Sequence, residues 1–366
     1  MRKTGFICDE SYFWHDAGMA ALVLPPGGYV QPDGSAESPE SKRRFKNLME
    51  RSGLYDQLTL VKPRPATEAQ LAYFHTQRYI DRVKELSTTT GGDAGSLANV
   101  GRGSYEIAAL AVGGAITAVE AVVKGDIDNA YGLTRPPGHH AEADQGMGYC
   151  IFNNAAIAAI YAQKELGLKK VMVIDWDVHH GNGTEDAFYQ DPNVLFFSLH
   201  QEGVFPAGRG KIQHIGDGDG KGTTVNIPLP AGTGNKGYLY AMEQVVGPVV
   251  DRFQPELIII SAGQDANMYD PAARMMVTAQ GYQQMTAFLQ ALADKHCQGR
   301  LVALHEGGYS TAYVPFCSHA IVEEMSGYQT DVTDPFFPVY EGTTYDELAP
   351  HQKQRVDEIR KVHLPT

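Results

Sequence analysis

Residues 169–183 read KKVMVIDWDVHHGNG, and the order of residue types in this stretch decides the fold. Four apolar residues, Val171 to Ile174, run without a polar interruption into Asp175, Asp177, His179 and His180, and the segment then breaks on Gly181-Asn182-Gly183. A β-branched run with no apolar–polar alternation is a strand buried on both faces, the pattern of a parallel sheet covered by helices.

Working outward, the same reading applies to NAYGLTR (129–135), NVLFFSLH (193–200), TTVNIPL (223–229), ELIIISAG (256–263) and RLVALHEGG (300–308). Helical patterns at 153–165, 183–190, 236–252 and 278–297 fall between them, which is the strand–helix rhythm of an α/β fold. With no internal repeat and no linker, the expectation is a single domain over 1–366. Its central, mostly parallel β-sheet is flanked by helices on both faces.

The first hundred residues break this rhythm. LPPGGYVQPDGSAESPES (24–41) is too long for an ordinary connection and is expected to be a lid over a pocket or an oligomer contact. In PATEAQL (65–71), Thr67 and Gln70 stand at capping-box spacing and open a helix. The Gly- and Ala-rich run 107–119 is short of the roughly 20 residues that cross a bilayer and reads as a buried helix.

The chain has 366 residues, 43% hydrophobic and 20% charged, enough for a large core. Its formal charge of −13 sets it against anionic partners, so neither nucleic acid nor a membrane surface is expected, and a cationic substrate suits the field better. Cys8, Cys150, Cys297 and Cys317 lie far apart and form neither a disulfide framework nor a thiolate zinc motif. Acidic residues interrupt the N-terminal segment too early for a signal peptide, so a cytoplasmic location is expected.

Ligands of an open parallel sheet bind beyond the carboxyl ends of its strands. Four strand ends here carry polar clusters, RPPGHH, DWDVHHG, SAGQD and HEGGY, which bring His139, His140, Asp175, Asp177, His179, Asp265 and Tyr309 toward one edge. Asp177 and His179 are two apart on extended chain and point the same way. With Asp265 they make two carboxylates and one imidazole, a set that binds a catalytic divalent ion and leaves a position for water. The tandem His139-His140 behind a rigid Pro-Pro turn is the natural general base. Any one of these motifs alone reads as an ordinary hydrogen-bonded pair or turn; four at successive strand ends do not. His180, His200 and His305 have no partner in the sequence and read as structural.

Five ordered segments carry a resemblance: RPPGHHAEADQGMGYCIFNNAAIAA (135–159), VIDWDVHHGNGTEDAFY (173–189), SLHQEGVFPAGRG (198–210), SAGQDANMYDPAARM (261–275) and LHEGGYS (304–310). Together they resemble the zinc-dependent histone deacetylase family, its class II branch and the bacterial histone deacetylase-like amidohydrolases, across roughly residues 1–340. The resemblance implies the arginase-deacetylase fold and hydrolysis of an acetyl amide by metal-activated water. It matches Asp177, His179 and Asp265 to the zinc ligands, pairs His139 with Asp175 and His140 with Asn182, and gives Tyr309 the oxyanion. Gly307 and Gly308 would let that tyrosine swing in. An imidazole beside a carboxylate has its pKa raised and one beside an amide does not, so His140 is expected to be the neutral base. Gly148, Tyr149, Phe205 and Ala272 match the substrate tunnel, with Tyr149 in place of the usual phenylalanine, so that a polar phenol stands where methylenes would be sandwiched and acyl-chain preference is brought into question. The resemblance further implies a potassium ion at Asp175, Asp177, His179, Ser198 and Leu199, and a second near Phe188 and Val194.

The reading that follows is a deacetylase acting on acetylated lysine side chains or small acylated amines, expected as a homo-oligomer. An acetylpolyamine amidohydrolase is the second reading, disfavoured because Ala272 stands where some polyamine-preferring relatives carry a gating glutamate. A ureohydrolase would need another carboxylate after Asp265, where the chain reads Ala266-Asn267. An acyl-amine binding protein without turnover would be expected to lack Tyr309.

Overall fold

All six strands expected from continuous apolarity form, and each is completely buried. In a computed structural model, which describes residues 1–22 and 24–364, they are β3 (Asn129–Gly132), β4 (Val171–Asp175), β5 (Val194–Gln201), β6 (Thr224–Leu229), β7 (Leu257–Ala262) and β8 (Leu301–His305). Two short strands that the sequence reading missed, β1 (Thr4–Ile7) and β2 (Thr59–Val61), extend one edge. The eight make one sheet in the order β6-β5-β4-β7-β8-β3-β1-β2, every pair parallel.

Side chains alternate between two apolar layers, which is why most strands show no apolar–polar alternation; edge strand β6 is an exception, with Val225, Ile227 and Leu229 alternating with Thr224 and Asn226. Val171, Val173, Leu257 and Ile259 face a layer with α2 (Ser104–Val123) and α3 (Asn154–Lys164). Met172, Ile174, Ile258 and Ile260 face the other, with α1 (Glu40–Ser52), α5 (Ala279–Cys297) and α6 (Val314–Ser326). Each such side chain removed from water contributes about 1.5–3 kcal/mol.

Helix α2 is longer than expected, at 20 residues, and by length and apolarity alone it could cross a membrane. Its most apolar window is 72% buried, against the sheet and α3. The helix opened by Thr67 has its full capping box but covers only Glu68–Leu71, because Thr76 caps a separate helix, Gln77–Thr88. Segment 24–41 is loop only to Pro39, where α1 takes over.

From β4 the chain moves to β5 and β6 on one side; from β7 it moves to β8 on the other. The order therefore reverses between β4 and β7, and the crevice beyond their carboxyl ends is the switch point where α/β sheets bind ligands.

Candidate active site

The strand ends beside that switch point converge. Asp175 is the last residue of β4, with Asp177 and His179 on the turn leading to α4 (Asn182–Phe188). Asp265 follows β7, and its Oδ1 accepts the Val178 N–H at 2.8 Å. Beyond β8, the Gly307 N–H donates to Asp177 Oδ2 at 2.9 Å. A Cβ on Gly307 would collide with the carboxylates of both Asp265 and Asp177, so the glycine makes room for the cluster.

His179 Nδ1 lies 3.0 Å from Asp177 Oδ1 and 3.0 Å from Asp265 Oδ2. One ring N–H satisfies one acceptor, and the buried Asp265 Oδ2 has no hydrogen-bond partner among the described residues. One ligand atom from each of these three residues lies within 4.8 Å of the others, which suits a single metal ion. Two carboxylates in so dry a place repel; burial and the Asp177 charge push the Asp265 carboxyl up to about 7. A cation relieves that repulsion. The trio His139, Cys150 and Glu306 meets the same spacing, and Glu306 Oε1 also lacks a partner among the described residues, but burial raises the Cys150 thiol well above its ordinary pKa, so it offers a neutral S–H and not a thiolate ligand.

The histidine turn is held from β8. Glu306 Oε2 accepts the N–H of Gly138 at 2.6 Å and of His139 at 3.2 Å. His139 Nδ1 meets Asp175 Oδ2 at 2.8 Å, and His140 Nδ1 meets Asn182 Oδ1 at 2.7 Å. Both pairs are those the sequence resemblance implied. Burial alone would lower the His139 pKa, but the charges of Asp177 and Asp175 outweigh it and hold the ring well above its ordinary value. For His140, burial and the neighbouring His139 and His179 act together and hold it well below.

Over this floor sits a cavity of about 190 Å³, lined among others by His140, Gly148, Tyr149, His179, Phe205, Ala272 and Tyr309. All four expected tunnel residues are therefore on its wall. Gly148 has φ +51°, and a Cβ there would come within 2.6 Å of His140 Cδ2 and 3.0 Å of Phe205 Cε1. The Tyr149 hydroxyl does not intrude on the channel as a free polar group; it donates to the Leu22 carbonyl at 2.9 Å. Leu22, Leu97 and Val204 also line the cavity, as does Ala36 from the 24–41 loop.

Tyr309 is not on a loose hinge. Its N–H and that of Ser310 donate to Asp270 Oδ2 at 2.8 and 3.2 Å, and the Ser41 hydroxyl holds the Gly308 carbonyl at 2.9 Å. Burial, with the charges of Asp265 and Asp177, keeps the phenol pKa well above 10, so it stays a proton donor.

The three histidines read as structural do have partners. His180 Nε2 meets Glu185 at 3.1 Å, His200 meets Ser198 and the Gly210 carbonyl, and His305 meets the Tyr131 hydroxyl at 2.8 Å. Ser198 is paired in register with Asp175, and the Leu199 side chain lies in the core. Phe188 and Val194 both lie in the other apolar layer. Glu306 and Asp270 were not singled out from the sequence, although both stand within motifs that were quoted from it.

A parallel sheet with this cluster at its switch point places the chain among enzymes of the arginase-deacetylase fold. The histone deacetylase domain model matches residues 35–325, and the chain belongs to the histone deacetylase family. It is 47% identical to a histone deacetylase-like amidohydrolase of Pseudomonas aeruginosa over 362 residues, 98% of this chain and 95% of that protein. It is 37% identical to a probable deacetylase of Archaeoglobus fulgidus over 344 residues, 92% of this chain and 95% of that one. The crystal structure of the HDA15 HD domain superposes with a TM-score of 0.86 at 32% identity, covering 99% of this chain and 94% of the other.

Proposed function

We propose that the protein is a zinc-dependent amidohydrolase that removes acetyl or related acyl groups from acyl-lysine-like amides. The observation that carries this reading is the convergence of Asp177, His179 and Asp265, with one buried carboxylate oxygen left unpartnered, directly beside the His139-His140 pair. These three residues would hold the metal, which when bound polarises the acyl carbonyl and lowers the pKa of water.

The chain's own groups supply the rest. His140, neutral and lining the cavity, takes the proton from the attacking water and returns it to the departing amine. The Asp175 carboxylate, 2.8 Å from His139 Nδ1, favours the cationic form of that ring, which offsets the negative charge that develops. Tyr309 donates its phenol proton in a hydrogen bond to the oxyanion. The products are a carboxylate and a free amine. A cavity of about 190 Å³ is below the roughly 300–1,000 Å³ of ordinary small-molecule sites, which suits one unbranched side chain entering end-on.

Ala272 on the cavity wall favours acyl-lysine over acetylpolyamine, since no carboxylate is offered there to a second ammonium. We also propose structural potassium at Asp175, Asp177, His179, Ser198 and Leu199, supported by the adjacency of Asp175 and Ser198 on neighbouring strands, and a second ion near Phe188 and Val194. One catalytic domain, a homo-oligomer and a cytoplasmic location complete the proposal. Rates of the zinc-loaded protein on acetyl-lysine peptides, longer acyl-lysines, trifluoroacetyl-lysine and acetylated polyamines test it. Turnover of acetylpolyamines at a kcat/KM tenfold above that of every acyl-lysine would overturn the substrate assignment.

A further inference from the structure

His140 is paired with a neutral amide, and a neutral amide can face an imidazole with either its oxygen or its nitrogen. Which one it presents decides where the imidazole proton sits. If Asn182 Oδ1 faces His140, Nδ1 must carry the hydrogen, and the Nε2 lone pair is free. With the amide turned over, Nδ1 would be the acceptor, Nε2 would carry the hydrogen, and neutral His140 would be useless as a base.

The surroundings of Asn182 decide between the two. Among the described residues its Nδ2 meets three acceptors: Glu142 Oε1 at 2.8 Å, the His140 carbonyl at 3.3 Å and Met147 Sδ at 3.6 Å. The carboxylate contact is the shortest and the only charge-assisted one. Glu142 is itself held in place, for Gln145 Nε2 donates to its Oε2 at 2.7 Å and its own N–H reaches the Gln145 carbonyl. The Asn182 backbone is fastened separately, through its N–H to the His180 carbonyl at 2.8 Å and its carbonyl to Arg209 Nη2 at 3.3 Å. The Glu142 contact therefore acts on the amide plane and not on the start of α4.

We propose that Glu142 is a positioning residue for the reaction. Its carboxylate orients the Asn182 amide, which holds His140 as the Nδ1–H tautomer with the Nε2 lone pair available at the substrate cavity. The line of contacts runs from Glu142 Oε1 to Asn182 Nδ2, then from Asn182 Oδ1 to His140 Nδ1 at 2.7 Å. The kinetic consequence rests on His140 acting as the base proposed above; the tautomer does not.

Two measurements test it. The first is long-range proton–nitrogen NMR on the zinc-loaded, ¹⁵N-histidine-labelled protein, with the His140 signals assigned by their absence from His140→Gln. The wild type is expected to show hydrogen on Nδ1 and none on Nε2; hydrogen on Nε2 overturns the proposal, whatever the variants do. The second is steady-state kinetics. Glu142→Ala is expected to lower kcat at least about tenfold with KM unchanged, as loss of a group that orients a functional side chain typically does. Glu142→Gln, which keeps an acceptor oxygen, is expected to recover kcat to within about threefold of wild type. Glu142→Ala at wild-type kcat, or Ala and Gln variants equally impaired, would overturn the orienting role. If the NMR result holds while no variant or wild type hydrolyses any acyl amide, the functional reading fails and the tautomer assignment stands.

Discussion

Replacing Tyr309 with phenylalanine removes a single oxygen from the cavity wall and disturbs little else. The loop around it is held through backbone atoms, by Asp270 on the Tyr309 and Ser310 N–H groups and by Ser41 on the Gly308 carbonyl, so the substituted ring keeps its place. Its packing on Tyr149, with ring centroids 5.8 Å apart, also survives. The loss is then confined to the hydrogen bond that the phenol makes to negative charge developing on the substrate. Deleting one such donor costs about 10²–10³-fold in kcat, or about 2.7–4 kcal/mol. Initial-rate kinetics on an acetyl-lysine peptide should show that fall with KM little changed, and titration calorimetry with a substrate-like hydroxamate should show binding within a few-fold of wild type. A Tyr309→Phe variant whose kcat stays within about threefold of wild type would refute the oxyanion role.

Gly148→Ala should lower kcat/KM at least about tenfold without loss of metal, because its methyl group meets His140 and Phe205 and its φ of +51° is strained for alanine; unchanged kinetics would contradict so tight a fit at this wall of the cavity. Glu37→Ala strands two buried cations, Lys42 at 3.0 Å and Arg135 at 2.9 Å, so urea denaturation should show a loss of about 3–5 kcal/mol. A loss under about 1 kcal/mol would mean that water reaches them. Two buried histidines favour unfolding in mild acid, against the buried Asp265, Asp270 and Glu306 carboxyls, whose raised pKa values favour the folded state there. Burial lowers His15 to about 3 and His75 to about 4, below the unfolded value near 6.5. Their contribution is complete above about pH 6.5 and is lost as the pH falls toward those folded values. At about pH 5 each should have cost about 2 kcal/mol relative to pH 7, read as the change in the pH 5 to pH 7 stability difference when that histidine is replaced by glutamine. A difference left unchanged by both His15→Gln and His75→Gln would contradict this.

Much of the site was legible because a buried parallel sheet writes itself as apolar runs and places polar residues at their ends. Val171–Ile174 and Leu257–Ala262 are such runs, and the residues just after them meet at the switch point. Strands β1 and β2 were not legible: TGFI and TLV are too short to stand out from their flanks, and pairing with β3 and with one another defines them. The division of 68–88 into two helices had a signal in Thr76, a second N-cap whose hydroxyl accepts the Tyr79 N–H. The groups that hold the functional side chains were the hardest to find. Glu306 reaches back 168 positions to Gly138, and Glu37 reaches 98 to Arg135, and no local pattern announces such partners. Tyr149 shows the same limit: its identity raised a question about the tunnel, and a carbonyl 127 residues away, on Leu22, answers it.

The account's central claim is that one divalent ion, held by Asp177, His179 and Asp265, is required for turnover. Metal analysis of the purified protein, run alongside activity as chelator strips the ion and zinc is titrated back, addresses it directly. One zinc per chain, activity falling in proportion to its removal, and recovery complete at one equivalent in the wild type but absent in Asp265→Ala is the expected result. Undiminished turnover by the metal-free protein, or full recovery in Asp265→Ala, would contradict it.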